Sequence, residues 1–120
     1  MRYLLLIHAD ESGIKDAPVE LTTTMSADYA AFTEAMVKAN VLLGGERLRP
    51  TAKAATVSRR NGKKVVLDGP YADVKEQLGG YYMIDAESLE DAVEWASRCP
   101  AAENGAIEVR PIWELGAARG

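Results

Sequence analysis

Residues 2–8, RYLLLIH, form an almost unbroken apolar run. A strand of that composition buries both faces, so it is expected at the centre of a sheet. Residues 9–24 are polar and contain Gly13 and Pro18, which predicts a long loop of the kind that often carries function. Met25, Tyr29, Phe32 and Met36 then follow at spacings of 4, 3 and 4, the stripe of one helix over 25–39. Thr24 or Ser26 is suited to cap its start and Asn40 its end.

The segment VLLGGERL, 41–48, begins as a strand. Its Gly44-Gly45 pair predicts a bulge or a close backbone approach. In AATVSRRNGKKVVLD, Asn61-Gly62 is the preferred type I′ pair and predicts a two-residue hairpin over 54–68. Counting outward from that turn sets Arg60 opposite Lys63, Ser58 opposite Val65 and Ala55 opposite Asp68. GYYMID, 80–85, is the next strand. Ser88 with Asp91 three residues on predicts a capped second helix. Its apolar stripe is Leu89, Ala92, Val93 and Ala96, and Cys99-Pro100 stops it. Alternation over 106–114 predicts a last strand, with Pro111 favouring a sheet edge.

With the hairpin set aside, the order is β-α-β followed by β-α-β, the ferredoxin-like split βαβ plan of an α+β protein. Two helices cover one sheet face only. Tyr81 or Tyr82, Met83, Leu5 and Trp113 exceed what the other face can leave in water, which predicts a second copy of the chain packed sheet against sheet. One domain over 1–115 with a frayed tail at 116–120 suits the length of 120 residues.

Composition narrows the functional classes. The net charge of -4 opposes binding to a nucleic-acid backbone, and RRNGKK at 59–64 straddles a turn without aromatic interleaving, as a solvated hairpin tip does. One cysteine and one histidine leave no basis for a transition-metal centre, and no nucleotide or cofactor motif appears. A single cysteine also fits a reducing compartment, and no run is long enough for a secretory or membrane segment, so a cytoplasmic location is expected.

Candidate chemistry gathers in three places. His8 ends the first strand beside Asp10, either as a general base or acid or as a hydrogen-bonded end of the sheet. Asp68 opens LDGPYADVKEQLGG, 67–80, a dozen-residue connection where two residues would join the strands. Asp68-Gly69-Pro70 is turn chemistry, but Tyr71, Lys75, Glu76 and Gly79-Gly80 extend it toward a ligand-holding or barrel-shaping segment. Asp68 is expected to pair with Lys75, Arg110 or His8. On the last strand, Glu108 and Arg110 share a face with Ile112 and line either a cleft or an ion-paired interface.

The block DGPYADVKEQLGGYYMID, together with GGERL, EWASRCP and IEVRPI in that order, resembles the DGPF group of YCII-related proteins over most of residues 1–114. Tyr71 stands where that group has phenylalanine, and Asp73 and Val74 stand where it usually has glutamate and threonine. The resemblance implies a dimeric α+β barrel of ferredoxin-like protomers. It also implies a catalytic His–Asp pair in a cleft, for which His8 and Asp68 are available. His8 occupies a position where the group often has an aromatic residue. Two functions follow as expectations: a cofactor-independent, metal-free acid–base enzyme acting on a small organic molecule, or a non-catalytic ligand-binding or regulatory module in a sigma-factor context.

Overall fold

A computed structural model describes residues 1–12 and 19–115, with side chains described at 1–12 and 26–115. Gly13 and Pro18 of the expected loop, the side chains of Thr24 and Met25, and the expected tail at 116–120 lie outside the described residues. The strands are β1 (Arg2–Ala9), β2 (Leu42–Arg47), β3 (Ala55–Arg60), β4 (Lys63–Asp68), β5 (Gln77–Asp85) and β6 (Ala106–Pro111). The helices are α1 (Val19–Lys38) and α2 (Leu89–Ser97).

Four strands form an antiparallel sheet in the order β2-β5-β1-β6, which is the ferredoxin-like order. The apolar run of β1 lies between β5 and β6, as its composition predicts, and Pro111 lies on the edge strand β6. The hairpin β3–β4 is a separate two-stranded ribbon in the register expected from its turn. Asn61 and Gly62 have φ of 52 and 78, the two positive values that a type I′ turn requires.

Alternation along β1 divides the sheet. Tyr3, Leu5 and Ile7 are buried with Phe32 and Met36 of α1, Ala92 and Ala96 of α2, and Ile84 of β5. Both helices therefore cover the same face. Tyr82 joins this core, with its ring edge-on to Phe32 at 5.5 Å and its hydroxyl 3.0 Å from Thr33 Oγ1. Leu4, Leu6 and His8 point to the opposite, helix-free face. Cross-strand partners share a face, so Tyr81, Met83, Glu46, Glu108 and Arg110 lie there too. Leu5 and Tyr82 therefore belong to the core and not to the surface expected to meet a second copy. Trp113 is 80% exposed beyond the end of β6.

Several boundaries differ from the sequence expectation. α1 begins at Val19, so residues 19–24 are helical and neither Thr24 nor Ser26 caps it. Three successive threonines disfavour helix by only about 0.7 kcal/mol each at most, which a continuous hydrogen-bonded ladder overrides. The other end conforms: Asn40 has φ 60, Asn40 N–H donates to Val37 O and Val41 N–H to Met36 O, a Schellman closure. α2 is capped as expected, Asp91 N–H donating to Ser88 Oγ at 3.2 Å. Its buried stripe is Ala92 and Ala96, while Leu89 and Val93 stand about half exposed at 47% each.

β6 stops at Pro111, short of the predicted 114, because proline ends the ladder. Ile112 N–H still reaches Arg2 O, and Arg2 grips Glu114 through Nε at 3.1 Å and Nη2 at 2.9 Å. The hydrogen bonds from Arg2 hold the Glu114 carboxyl below its usual range. Its folded-state pKa is depressed, so the unfolded chain takes up the proton first. The clamp contributes fully above the ordinary value of 4.5 and is lost as pH falls through the depressed one. Acid unfolding of Glu114→Gln, followed by circular dichroism, is expected to show a shallower loss of stability below that value than the parent chain. Equal acid limbs would show that the clamp contributes nothing to stability.

Among the described residues, no helix is long and apolar enough to cross a membrane.

Candidate functional site

Three strand ends converge at one end of the sheet: the C-terminal end of β1 and the N-terminal ends of β5 and β6. The register with β5 slips between Ile7 and His8, where Ile7 pairs with Gly80 and His8 with Leu78, so Gly79 is the bulged residue. Gly80 is required for a different reason. A Cβ there would lie 2.9 Å from Glu46 O, and one at Gly45 would lie 2.7 Å from Tyr81 O. The two Gly-Gly pairs thus combine a bulge with a close approach of β2 to β5, which fulfils both sequence expectations.

On the helix-free face, His8 Nε2 is 3.2 Å from Glu108 Oε1. Arg110 Nη1 is 3.7 Å from the other carboxylate oxygen, Glu108 Oε2. Glu108 lies opposite Leu6 and Arg110 opposite Leu4, so strand register alone orders the three side chains in a row on the helix-free face. In the tautomer that donates Nε2–H to Glu108, Nδ1 is the ring's acceptor, and no described residue bonds to it. A carboxylate placed in this way orients the ring and stabilises the imidazolium that forms when Nδ1 takes a proton.

The residues after β1 extend the site. Asp10 Oδ1 accepts from Ser12 N–H at 3.0 Å and from Ser12 Oγ. Those bonds, and more weakly the charge of Lys75, hold the Asp10 carboxyl below its usual range. Glu11 accepts from Thr51 N–H at 3.1 Å and from the Thr51 hydroxyl, and Glu11 N–H donates to Gln77 Oε1 at 3.0 Å. These bonds tie the exit of β1 to the linker before the hairpin and to the start of β5. Sequence reasoning did not single out Glu11, Thr51 or Gln77, because each lies in a different segment and only the sheet order brings them together. It also passed over Gly105, where a Cβ would overlap the His8 carbonyl oxygen.

The other expected residues lie elsewhere. Asp68 ends β4 opposite Ala55, exposed, with no side-chain hydrogen bond or ion pair among the described residues. The expected pairing of Asp68 with His8, Lys75 or Arg110 is therefore absent within the chain. His8 and Arg110 both turn to Glu108, and Lys75 faces Asp10. The cause is the hairpin, which carries Asp68 away on a ribbon separate from the main sheet. Gly69, at φ 115, turns the chain out of β4, its N–H donating to Ala54 O. Thr56 Oγ1 caps the turn by donating to Gly69 O at 2.9 Å. Beyond it, Tyr71 is 89% exposed, and Lys75 and Glu76 also face outward. β5 already begins at Gln77, so the connection out of β4 is shorter than the expected 67–80, and its residues from Tyr71 to Glu76 are exposed.

Cys99 is buried beside Tyr29, and burial pushes both the thiol and the phenol above their ordinary values. Both remain protonated at neutral pH and act as core. Among the described residues, no group of three or more His, Cys, Asp or Glu is placed to hold a metal.

The architecture has a solved counterpart in the 5-chloro-2-hydroxyhydroquinone dehydrochlorinase of Burkholderia phenoliruptrix AC1100, determined in complex with 2,5-dihydroxybenzoquinone. The two are similar with a TM-score of 0.55 over 100% of each chain, at 15% sequence identity, a likeness of fold. In sequence, the chain is 38% identical over 114 residues to an uncharacterised protein of Rhizobium meliloti (strain 1021), covering 93% of this chain and 92% of that one. The model of the YCII-related domain matches residues 1–116, nearly the whole chain and every element of the sheet described above. By that match and by its Rhizobium relative, the chain belongs to the YCII-related family.

Proposed function

We propose that the protein is a cofactor-independent enzyme that moves a proton on a small organic molecule bound against the helix-free sheet face. The observation that carries this reading is the His8–Glu108 contact of 3.2 Å, with Arg110 on the second carboxylate oxygen. His8 Nδ1 is the proton acceptor, Glu108 orients the ring and stabilises its charge, and Arg110 offers a cation to an anionic substrate. Tyr71, Lys75 and Glu76, in the exposed connection that leads into β5, are candidates to contact a ligand, whereas Asp68 is carried away from His8 by the hairpin. The same fold carries an enzyme of hydroxylated aromatic compounds in the Burkholderia dehydrochlorinase, which supports the choice of small organic ligands for screening.

In this reading a homodimer covers the open face. Leu4, Leu6, Tyr81 and Met83 form its apolar centre, with no element of the described chain over them. A second copy packed sheet against sheet shields them and encloses the site.

The test is a thermal-shift screen of small organic acids and phenols, followed by turnover assays on each hit. A ligand at a hundred times its Kd adds about 2.7 kcal/mol of stability. His8→Asn is expected to lower turnover by about a hundred- to ten-thousand-fold while retaining binding. Ligands that bind without being converted by the parent protein would replace the enzyme with a binding or regulatory module.

A further inference from the structure

The hairpin β3–β4 makes no packing layer with the described residues of its own chain. Val57 and Val66 sit directly opposite each other, 61% and 52% exposed. An isolated two-stranded ribbon is marginal in water and gains stability only by covering such a face. Its tip holds Arg59, Arg60, Lys63 and Lys64 within six residues and no acid, so the remainder of the chain is more acidic than the net charge of -4 suggests. None of the four forms an ion pair with a described residue.

At the other end of the sheet, where β1 begins and β5 ends, there is a groove of about 590 Å³. Met1, Val41 and Trp95 supply its apolar lining, and Glu87, Asp91 and Glu94 stand along it. Met1 and Arg98, its cations, are engaged within the lining: the Met1 ammonium with Asp85 at 3.0 Å, the Arg98 guanidinium over the Trp95 ring at 4.4 Å. The three glutamate and aspartate side chains are exposed and form no ion pair with a described residue.

We infer that the hairpin is an exchanged arm: the basic tip of one copy seats in the acidic groove beside α2 of a second copy, and the reverse. This rests on the sheet-face dimer proposed above. A two-fold contact needs both complementary patches on the same chain, and both are present here. Charge also selects between the two ways of stacking the sheets. With like ends together, two tips of four cations each would face one another. With opposite ends together, each tip meets carboxylates.

The test is sedimentation of four proteins: the parent, a tip reversal (Arg59→Glu, Arg60→Glu, Lys63→Glu and Lys64→Glu), a groove reversal (Glu87→Lys with Glu94→Lys), and their combination. All six positions are exposed, so the fold is not at issue. Each reversal alone is expected to raise the dimer Kd at least tenfold, and the combination to restore it to near the parent value. Leu6→Asp serves as the separate probe of the sheet face. Unchanged dimers in both single reversals, with Leu6→Asp dissociating, would overturn the arm and leave the sheet-face dimer standing. A monomeric parent protein would overturn both. Unchanged dimers combined with reversal-sensitive retention on duplex DNA would assign the tip to a different partner and overturn the arm.

Discussion

Leu5→Ala is expected to lower the unfolding free energy by about 2–5 kcal/mol. Leu5 is 0% exposed, at the centre of the central strand, facing both helices. The methylenes removed would leave a cavity between Phe32, Met36 and Ala92 that close packing cannot fill. Its neighbour Leu6 points to the opposite face and is only partly covered by its own chain. Leu6→Ala is expected to cost about 1 kcal/mol in intrinsic stability and to act mainly on self-association. Chemical denaturation at several protein concentrations separates the two, because a dimer's apparent stability depends on concentration. Equal, concentration-independent losses for both variants would show that the two sheet faces are equally buried within one chain, against the division described here.

Gly105→Ala is expected to be nearly as costly, at about 3 kcal/mol or more, and to disturb the site as well. The added Cβ would overlap the His8 carbonyl oxygen and lie 3.1 Å from Ala101 O and 3.2 Å from Ala9 Cα. All three are backbone atoms, so no side-chain rotation relieves the crowding. The end of β1 or the turn before β6 must move, and the His8–Glu108 contact spans those two elements. Gly79→Ala is the control, since a Cβ there meets nothing within 4 Å. That change is expected to stay within about 0.5 kcal/mol. The chain has one histidine, so a single imidazole NMR signal reports directly on the site. A shifted His8 signal in Gly105→Ala and an unshifted one in Gly79→Ala is the expected pair of results. An unshifted signal and parent-like stability in Gly105→Ala would remove Gly105 from the positioning of the site.

Much of the architecture was legible from local rules. The Asn61-Gly62 turn set six cross-strand pairs without reference to the rest of the chain, because a type I′ turn permits only one register. The apolar run of β1, the proline of β6 and the Ser88 cap each encode a position or boundary through a short-range constraint: burial, a missing donor, a satisfied N–H. The Gly-Gly pairs announced a bulge and a close approach because only glycine tolerates either. Each signal is complete within a few residues, so the linear sequence contains it.

What escaped the sequence depends on which strands become neighbours. A continuous apolar run does not state which of its residues face the helices, so Leu5 was assigned to the wrong face, and the choice between Tyr81 and Tyr82 stayed open until the sheet order decided it. His8 and Glu108 are one hundred residues apart and meet only because β6 pairs beside β1. Asp68 was a candidate partner for His8 because the family resemblance implies a His–Asp pair, yet the hairpin forms its own ribbon and takes Asp68 with it. Gly105 carries no local signal, since its requirement comes from a carbonyl at the far end of the chain. Local chemistry thus determined the elements and the turns of this protein. The pairing of distant strands decided which side chains share a face, and with it the composition of the site.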